Sequence, residues 1–288
     1  MPVTPLIAAV RHNDLFVVSR LCASGVDVNE VCEVEPVVQR RHESPLYRTT
    51  ALFEAVRQRN KEVIGALLAR PDLDPNRTAT DLQLTPFCDA ISRGDIDMAG
   101  FLLEDSRVDP SIGSRVAAHP VLYGAMMGNL DVLNFFANHP ARMMHPDDVT
   151  LEDMLYRTSA ANGQKAALEL IQNYYIDSRP LDKLTPGRQL VKIRREFNKI
   201  DDDGNGFCDE SEVRSLFIAL GLPLTDEEQN EAFMALNTAG DNRIDLDELT
   251  SYFLGPDNFK VALDELFEVR GFGGYLPSII SGGETRAE

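Results

Sequence analysis

One property limits the fold of this 288-residue chain more than any other: its first part repeats itself. TPLIAAVRHNDLFVVSRLC begins at Thr4, TALFEAVRQRNKEVIGALL at Thr50 and TPFCDAISRGDIDMAGFLL at Thr85. HPVLYGAMMGNLDVLNFFA follows from His119, and a weaker MLYRTSAANGQKAALELI from Met154. Successive starts lie 46, 35, 34 and 35 residues apart. A period of about 33–35 with two short helical stretches per unit predicts a stacked array, because no single unit can bury its own apolar face.

These units resemble ankyrin repeats. The family's Thr-Pro-Leu opening stands at Thr4-Pro5-Leu6 and Thr85-Pro86-Phe87, and more loosely at His119-Pro120-Val121. Pro suits the first helical position, and the Thr before it can cap free amides. Small residues Ala8, Ala9, Ala55 and Ala90 fall where inner helices approach closely, and Gly94, Gly128 and Gly163 fall in the inter-helix turn. Outer-helix apolar runs follow, such as Val63, Ile64, Leu67 and Leu68, then tails such as Leu73-Asp74-Pro75-Asn76. Repeat two lacks both the Pro and the turn Gly. About a dozen extra residues, with Arg40, Arg41 and His42, separate the first two units and are expected as a long finger loop, since surface loops absorb length cheaply.

The resemblance implies a surface that binds a protein partner. In the family, the two residues before the turn Gly often face that partner. By position these are Arg11-His12, Arg57-Gln58, Ser92-Arg93 and Met126-Met127. One reading is a groove for an acidic partner with an apolar anchor, since the guanidinium fork matches carboxylates. The plainer reading makes them solvated helix positions, with both methionines in the core.

Charge separates the chain in two. It carries 46 acidic against 28 basic residues, a net of −18. Residues 1–180 hold 24 acidic and 17 basic, residues 181–288 hold 22 and 11. The expected division is a repeat domain over 1–178, a second module over 179–270 and a tail over 271–288. Such acidity excludes a general binder of nucleic acid or anionic membranes. No apolar run is long enough to span a bilayer, and no secretory signal is read at the N-terminus. Cys22, Cys32, Cys88 and Cys208 show no zinc or disulfide spacing, so reduced thiols and a cytoplasmic location are expected, with cytoskeletal association as a further reading.

The second module is dominated by residues 201–212, DDDGNGFCDESE. Ca²⁺ takes six to eight oxygens, and one short loop must curl to deliver them. Asp201, Asp203 and Asn205 supply side-chain oxygens, Phe207 a carbonyl, Asp209 a direct or water-mediated contact and Glu212 two oxygens. Gly206 permits the turn. Four carboxylates so close repel one another until a cation is bound. The spacing resembles an EF-hand, and apolar residues at helical intervals flank it: Leu190, Ile193 and Phe197 before, Val213, Leu216, Phe217 and Leu220 after. Thr225 and Glu228 form a capping box for the next helix.

A second loop, NTAGDNRIDLDE at 237–248, is degenerate. Asn237, Asp241, Arg243 (by its carbonyl), Asp245 and Glu248 hold ligand positions, but position 3 is Ala239 and Asn242 replaces the glycine. It is expected to keep its shape and bind Ca²⁺ weakly or not at all. Paired EF-hands share a short strand, which sets Cys208 opposite Ile244. One intact loop implies an affinity on the order of 10⁻⁷–10⁻⁵ M or somewhat weaker. Beyond it, Asp257 can cap a helix with Phe259, Ala262, Leu263, Leu266 and Phe267 on one face, which either completes the core or docks in the EF-hand groove as a displaceable plug.

The expected fold is all-α: an ankyrin-repeat solenoid of about five repeats, the last ones divergent, then an EF-hand pair with a pairing strand and an extra C-terminal helix. The leading functional reading is a Ca²⁺-responsive scaffold or adaptor. The alternative is a static structural protein that Ca²⁺ merely stabilises, favoured by the scarcity of methionines in the second module (Met234 alone). No catalytic motif appears, and His12, His42, His119, His139 and His145 are scattered.

Overall fold

The computed structural model describes residues 3–34, 47–139, 144–201, 204–222 and 224–271, with backbone alone at 259–260 and 262–271. Arg40, Arg41, His42, Asp203 and the tail beyond 271 lie outside the described residues, as do the side chains of Phe259, Ala262, Leu263, Leu266 and Phe267. The chain divides into two compact units, Met1–Leu170 and Ile171–Glu288.

Unit one is a run of antiparallel helix pairs: α1 (Pro5–Arg11) with α2 (Leu15–Ala23), α3 (Ala51–Arg57) with α4 (Lys61–Leu68), and α5 (Pro86–Ser92) with α6 (Ile96–Leu102). Then come α7 (Val121–Met127) with α8 (Leu130–Asn138), and α9 (Val149–Ala161); α10 (Lys165–Ser178) runs across the division between the units at Leu170. Each inner helix touches the next, α1 to α3 to α5 to α7 to α9. Thr4, Thr50 and Thr85 hydroxyls accept the amides of Ile7, Phe53 and Cys88, at 3.3, 3.2 and 3.0 Å, which fixes where inner helices begin. Asp14, Asn60, Asp95, Asn129 and Asp148 do the same for the outer helices and α9. The turn between helices demands a left-handed residue; Gly94, Gly128 and Gly163 supply it, and in repeats one and two Asn13 (φ 56°) and Arg59 (φ 57°) replace glycine.

Burial follows the repeat. Ile7, Phe53, Phe87 and Leu122 on inner helices, and Val18, Ile64, Leu102 and Phe136 on outer ones, are almost wholly buried. Each such side chain contributes on the order of 1.5–3 kcal/mol. Polar bridges run between the tails. Asn29 Nδ2 donates to the Asp72 carbonyl (2.7 Å) while its Oδ1 accepts the Asp74 amide (2.7 Å). Asn76 repeats this with the Arg107 carbonyl and the Asp109 amide, at 2.7 and 2.8 Å. Ser111 follows at the next tail, its hydroxyl donating to Asp109 of its own turn at 2.6 Å. Arg107 reaches back to the carbonyls of Leu68 and Arg70 at 2.6 and 2.9 Å, closing the end of α4, and Arg70 does likewise at the Cys22 carbonyl. The inter-repeat excess leaves and returns as an antiparallel ribbon, β1 (Cys32–Val34) against β2 (Tyr47–Thr49).

In unit two, α11 (Pro186–Ile200) leads into loop one, β3 (Phe207–Cys208) and α12 (Glu210–Ala219). α13 (Asp226–Leu236), loop two, β4 (Ile244–Asp245) and α14 (Leu246–Gly271) follow. Ile193, Phe197, Val213, Leu216, Phe217, Leu236, Ile244 and Leu249 form one core. Within α14 the exit helix of loop two breaks at Gly255 (φ 65°, ψ 168°), whose angles are not helical, and the helix expected to start at Asp257 follows Pro256. Proline removes an internal amide bond, and only glycine adopts the preceding angles cheaply. All four cysteines are buried free thiols.

Candidate functional site

Loop one starts where α11 stops. Asp201 is that helix's C-cap residue, and its carboxylate gathers the amides of Asn205 (3.0 Å) and Gly206 (2.9 Å), bending the chain back. Gly204 (φ 66°) and Gly206 (φ 84°) take the left-handed turns this requires. Asn205 Oδ1 accepts the Phe207 amide at 2.8 Å. Asp209 then caps α12: it accepts the amides of Ser211 and Glu212, while Glu212 Oε2 accepts the Asp209 amide at 2.9 Å. The amide of Glu212 and the hydroxyl of Ser211, aimed at Asp209, hold its carboxyl below the usual range. Asp201, Asn205, Phe207, Asp209 and Glu212 therefore lie around one turn of chain. Among the described residues no three acidic, His or Cys side chains converge tightly enough to chelate by themselves, and Asp203 lies outside them. The donors fit a hard cation: carboxylate, amide and carbonyl oxygens on a loop bent by two left-handed glycines.

Loop two has the same outline. Asn237 Oδ1 accepts the amides of Gly240 (2.8 Å) and Asp241 (3.1 Å), and Asn242 (φ 61°) makes the turn in place of glycine. The difference lies at Oε1 of Glu248, since Oε2 takes the same amide bond that Glu212 takes from Asp209 in loop one. Glu248 Oε1 accepts from the Thr238 hydroxyl at 2.7 Å and the Ala239 amide at 3.0 Å, and its Oε2 from the Asp245 amide at 3.2 Å. Burial works to raise the Glu248 carboxyl, and these hydrogen bonds override it and hold it below its usual value. Thr238 was not picked out among the candidate residues, and only the folded loop brings it to Glu248.

The two loops are joined by the strand pair. Phe207 lies opposite Asp245 and Cys208 opposite Ile244, the latter two wholly buried. Burial first, then the carboxylates of Glu212, Asp201 and Asp209, pushes the Cys208 thiol up to about 12. That makes it a core atom with no thiolate character near neutrality. Arg243 sends its guanidinium over the Phe207 ring, 5.8 Å from its centre.

The basic stripe on the repeats carries its own counter-ions. Arg11 faces Glu54 at 3.9 Å, and Arg57 and Arg93 both face Asp89, at 3.5 and 3.0 Å. Glu54 and Asp89 are 3% and 2% exposed, and Tyr47 donates its hydroxyl to Glu54. Burial raises the Asp89 carboxyl, and the two guanidinium groups recover only part of that cost. Arg57 also lies over the rings of Phe53 and Tyr47. His12 and Met127 are exposed, Met127 at 65%, whereas Met126 is half-buried. The acids were missed although Glu54 and Asp89 stand three and four positions before Arg57 and Arg93 on the same helices, a spacing that pairs charges.

Similarity to known proteins agrees with both halves. The family model of the EF-hand domain pair matches residues 190–254, and that of the ankyrin repeat matches residues 3–33. Human "Calcium-binding protein 7" is 29% identical over 102 residues, 35% of this chain and 46% of that protein. A myosin regulatory light chain from Physarum polycephalum is 35% identical over 60 residues, 21% of this chain and 41% of that one. The chain thus spans less than half the length of these curated relatives. Among solved structures, the ankyrin repeat domain of Bcl-3 aligns with a TM-score of 0.45 at 15% identity, covering 67% of this chain and 84% of that one. Among the described residues no helix is long and apolar enough to cross a membrane. The chain joins ankyrin-type repeats to an EF-hand pair.

Proposed function

We propose that the protein is a Ca²⁺-responsive adaptor of the cytoplasm, a binding protein and not a catalyst. Its repeats grip a protein partner and its EF-hand pair answers to the ion. The observation that carries this is loop one, with Asp201, Asn205, Phe207, Asp209 and Glu212 disposed around one turn between two amphipathic helices. When bound, Ca²⁺ cancels the repulsion among these carboxylates. Asp201 and Glu212 stand at the two helix ends, so drawing them together turns α11 against α12 and changes the exposure of Leu216 and Phe217, both buried here.

The partner face is the inner-helix row Arg11, His12, Arg57, Arg93 and Met127, with Met126 behind it. Because Glu54 and Asp89 occupy the arginines from below, an acidic partner has to compete with them, which favours selectivity over strength. The test is calorimetry on the full chain. Wild type should bind Ca²⁺ with Kd on the order of 10⁻⁷–10⁻⁵ M, and Glu212→Gln should weaken this by tenfold or more. No heat at millimolar Ca²⁺ sinks the proposal. Capture of a partner that is identical with Ca²⁺ and with chelator would leave only a stabilising role for the ion.

A further inference from the structure

Loop two departs from a cation site in a specific way. The glutamate at its last position, which in a filled loop gives two oxygens to the ion, is committed to the loop itself. Thr238 and Ala239, positions 2 and 3, donate to one oxygen, and Asp245 donates to the other. Ala239 brings no ligand, and Asn237 offers a neutral amide oxygen where loop one has the Asp201 carboxylate. The loop's donors thus do for Glu248 what a cation would, and the chain closes without one.

The closure bears on the neighbouring loop. Asp245 is tied twice, its amide to Glu248 and its Oδ1 to the Glu248 amide at 2.7 Å. Asp245 is also the strand partner of Phe207, whose carbonyl is a ligand position of loop one. From the same loop, Arg243 covers the Phe207 ring. Whatever fixes Asp245 and Arg243 therefore fixes the backbone that loop one presents to its ion.

We propose that residues 237–248 form an ion-independent clasp, closed by Glu248 on Thr238 and Ala239, that holds β4 as a template and so presets the Ca²⁺ loop beside it. This builds on the functional reading above for loop one, and assigns Thr238 and Glu248 as positioning residues. Thr238 is the cleaner probe, because position 2 contributes no ligand in any filled loop of this kind.

The test combines thermal unfolding of the full chain in chelator with Ca²⁺ calorimetry, on wild type, Thr238→Val and the conservative Thr238→Ser. A clasp predicts one Ca²⁺ per chain in all three. Thr238→Val should lower the midpoint of the EF-hand transition in chelator and weaken Ca²⁺ binding at loop one by about three- to tenfold, the worth of one ordinary hydrogen bond at an exposed site. Thr238→Ser should restore both. Two ions per wild-type chain, or a Thr238→Val variant unchanged in midpoint and affinity, overturns the clasp. Should wild type bind no Ca²⁺, the adaptor reading fails, and the midpoint in chelator still decides for or against the clasp.

Discussion

At the scale of single residues, Asp89 is the most informative side chain outside the loops. It is buried, its Oδ2 lacks a well-formed hydrogen bond, and its carboxyl is raised by burial in spite of two arginines. A carboxyl raised in the folded state adds stability only while protonated, and that contribution is lost as pH climbs through the folded value. Ionised Asp89 therefore opposes folding near neutrality. Asp89→Asn should match or exceed wild type in urea unfolding at pH 7, with the gap closing as pH falls toward 4, because Arg57 and Arg93 are about one-third exposed and can turn to water. A loss of more than about 1 kcal/mol at pH 7 would mean that the ion pairs outweigh desolvation. The same substitution frees both arginines, so it should tighten binding of an acidic partner.

At the scale of elements, the helix pairs are held by devices that cross from one repeat to the next. Arg107 is the clearest, since one guanidinium serves Asp105 and the carbonyls of Leu68, Arg70 and Leu73. Arg107→Ala leaves the end of α4 without these donors and should cost about 1–3 kcal/mol in chemical denaturation, whereas Arg157→Ala, on an exposed pair with Asp153, should cost less than about 0.5. Equal effects would refute the capping role. The elements themselves were legible. Threonines before the first three inner helices, glycines in the last three turns and the D-x-D-x-N-G spacing each dictate a local geometry with little alternative. Two features were not. The backbone of the break at Gly255 and Pro256 is one, because the pattern of Phe259 to Phe267 says nothing about how the turn before it closes. The clasp of Thr238 on Glu248 spans ten positions through a loop interior, and no local pattern encodes it.

At the scale of the whole molecule, two compact units of unlike chemistry predict two responses to heating. The repeat unit has no part in loop one, so Ca²⁺ should raise only the EF-hand transition, by about 4 kcal/mol at a thousandfold excess over Kd. Scanning calorimetry with Ca²⁺ and with chelator reads this directly. A single transition that moves as one would show that the units fold together. Within the repeats, Asn29 and Asn76 are two-ended, each donating to one chain and accepting from it. Ser111, at the matching tail, lacks the amide, and its hydroxyl is turned onto its own turn. The rungs of this ladder are therefore alike across the first three tails, and the third tail is closed on itself, so a partner lying along the array meets tails that are tied to their neighbours first and a tail tied inward after them.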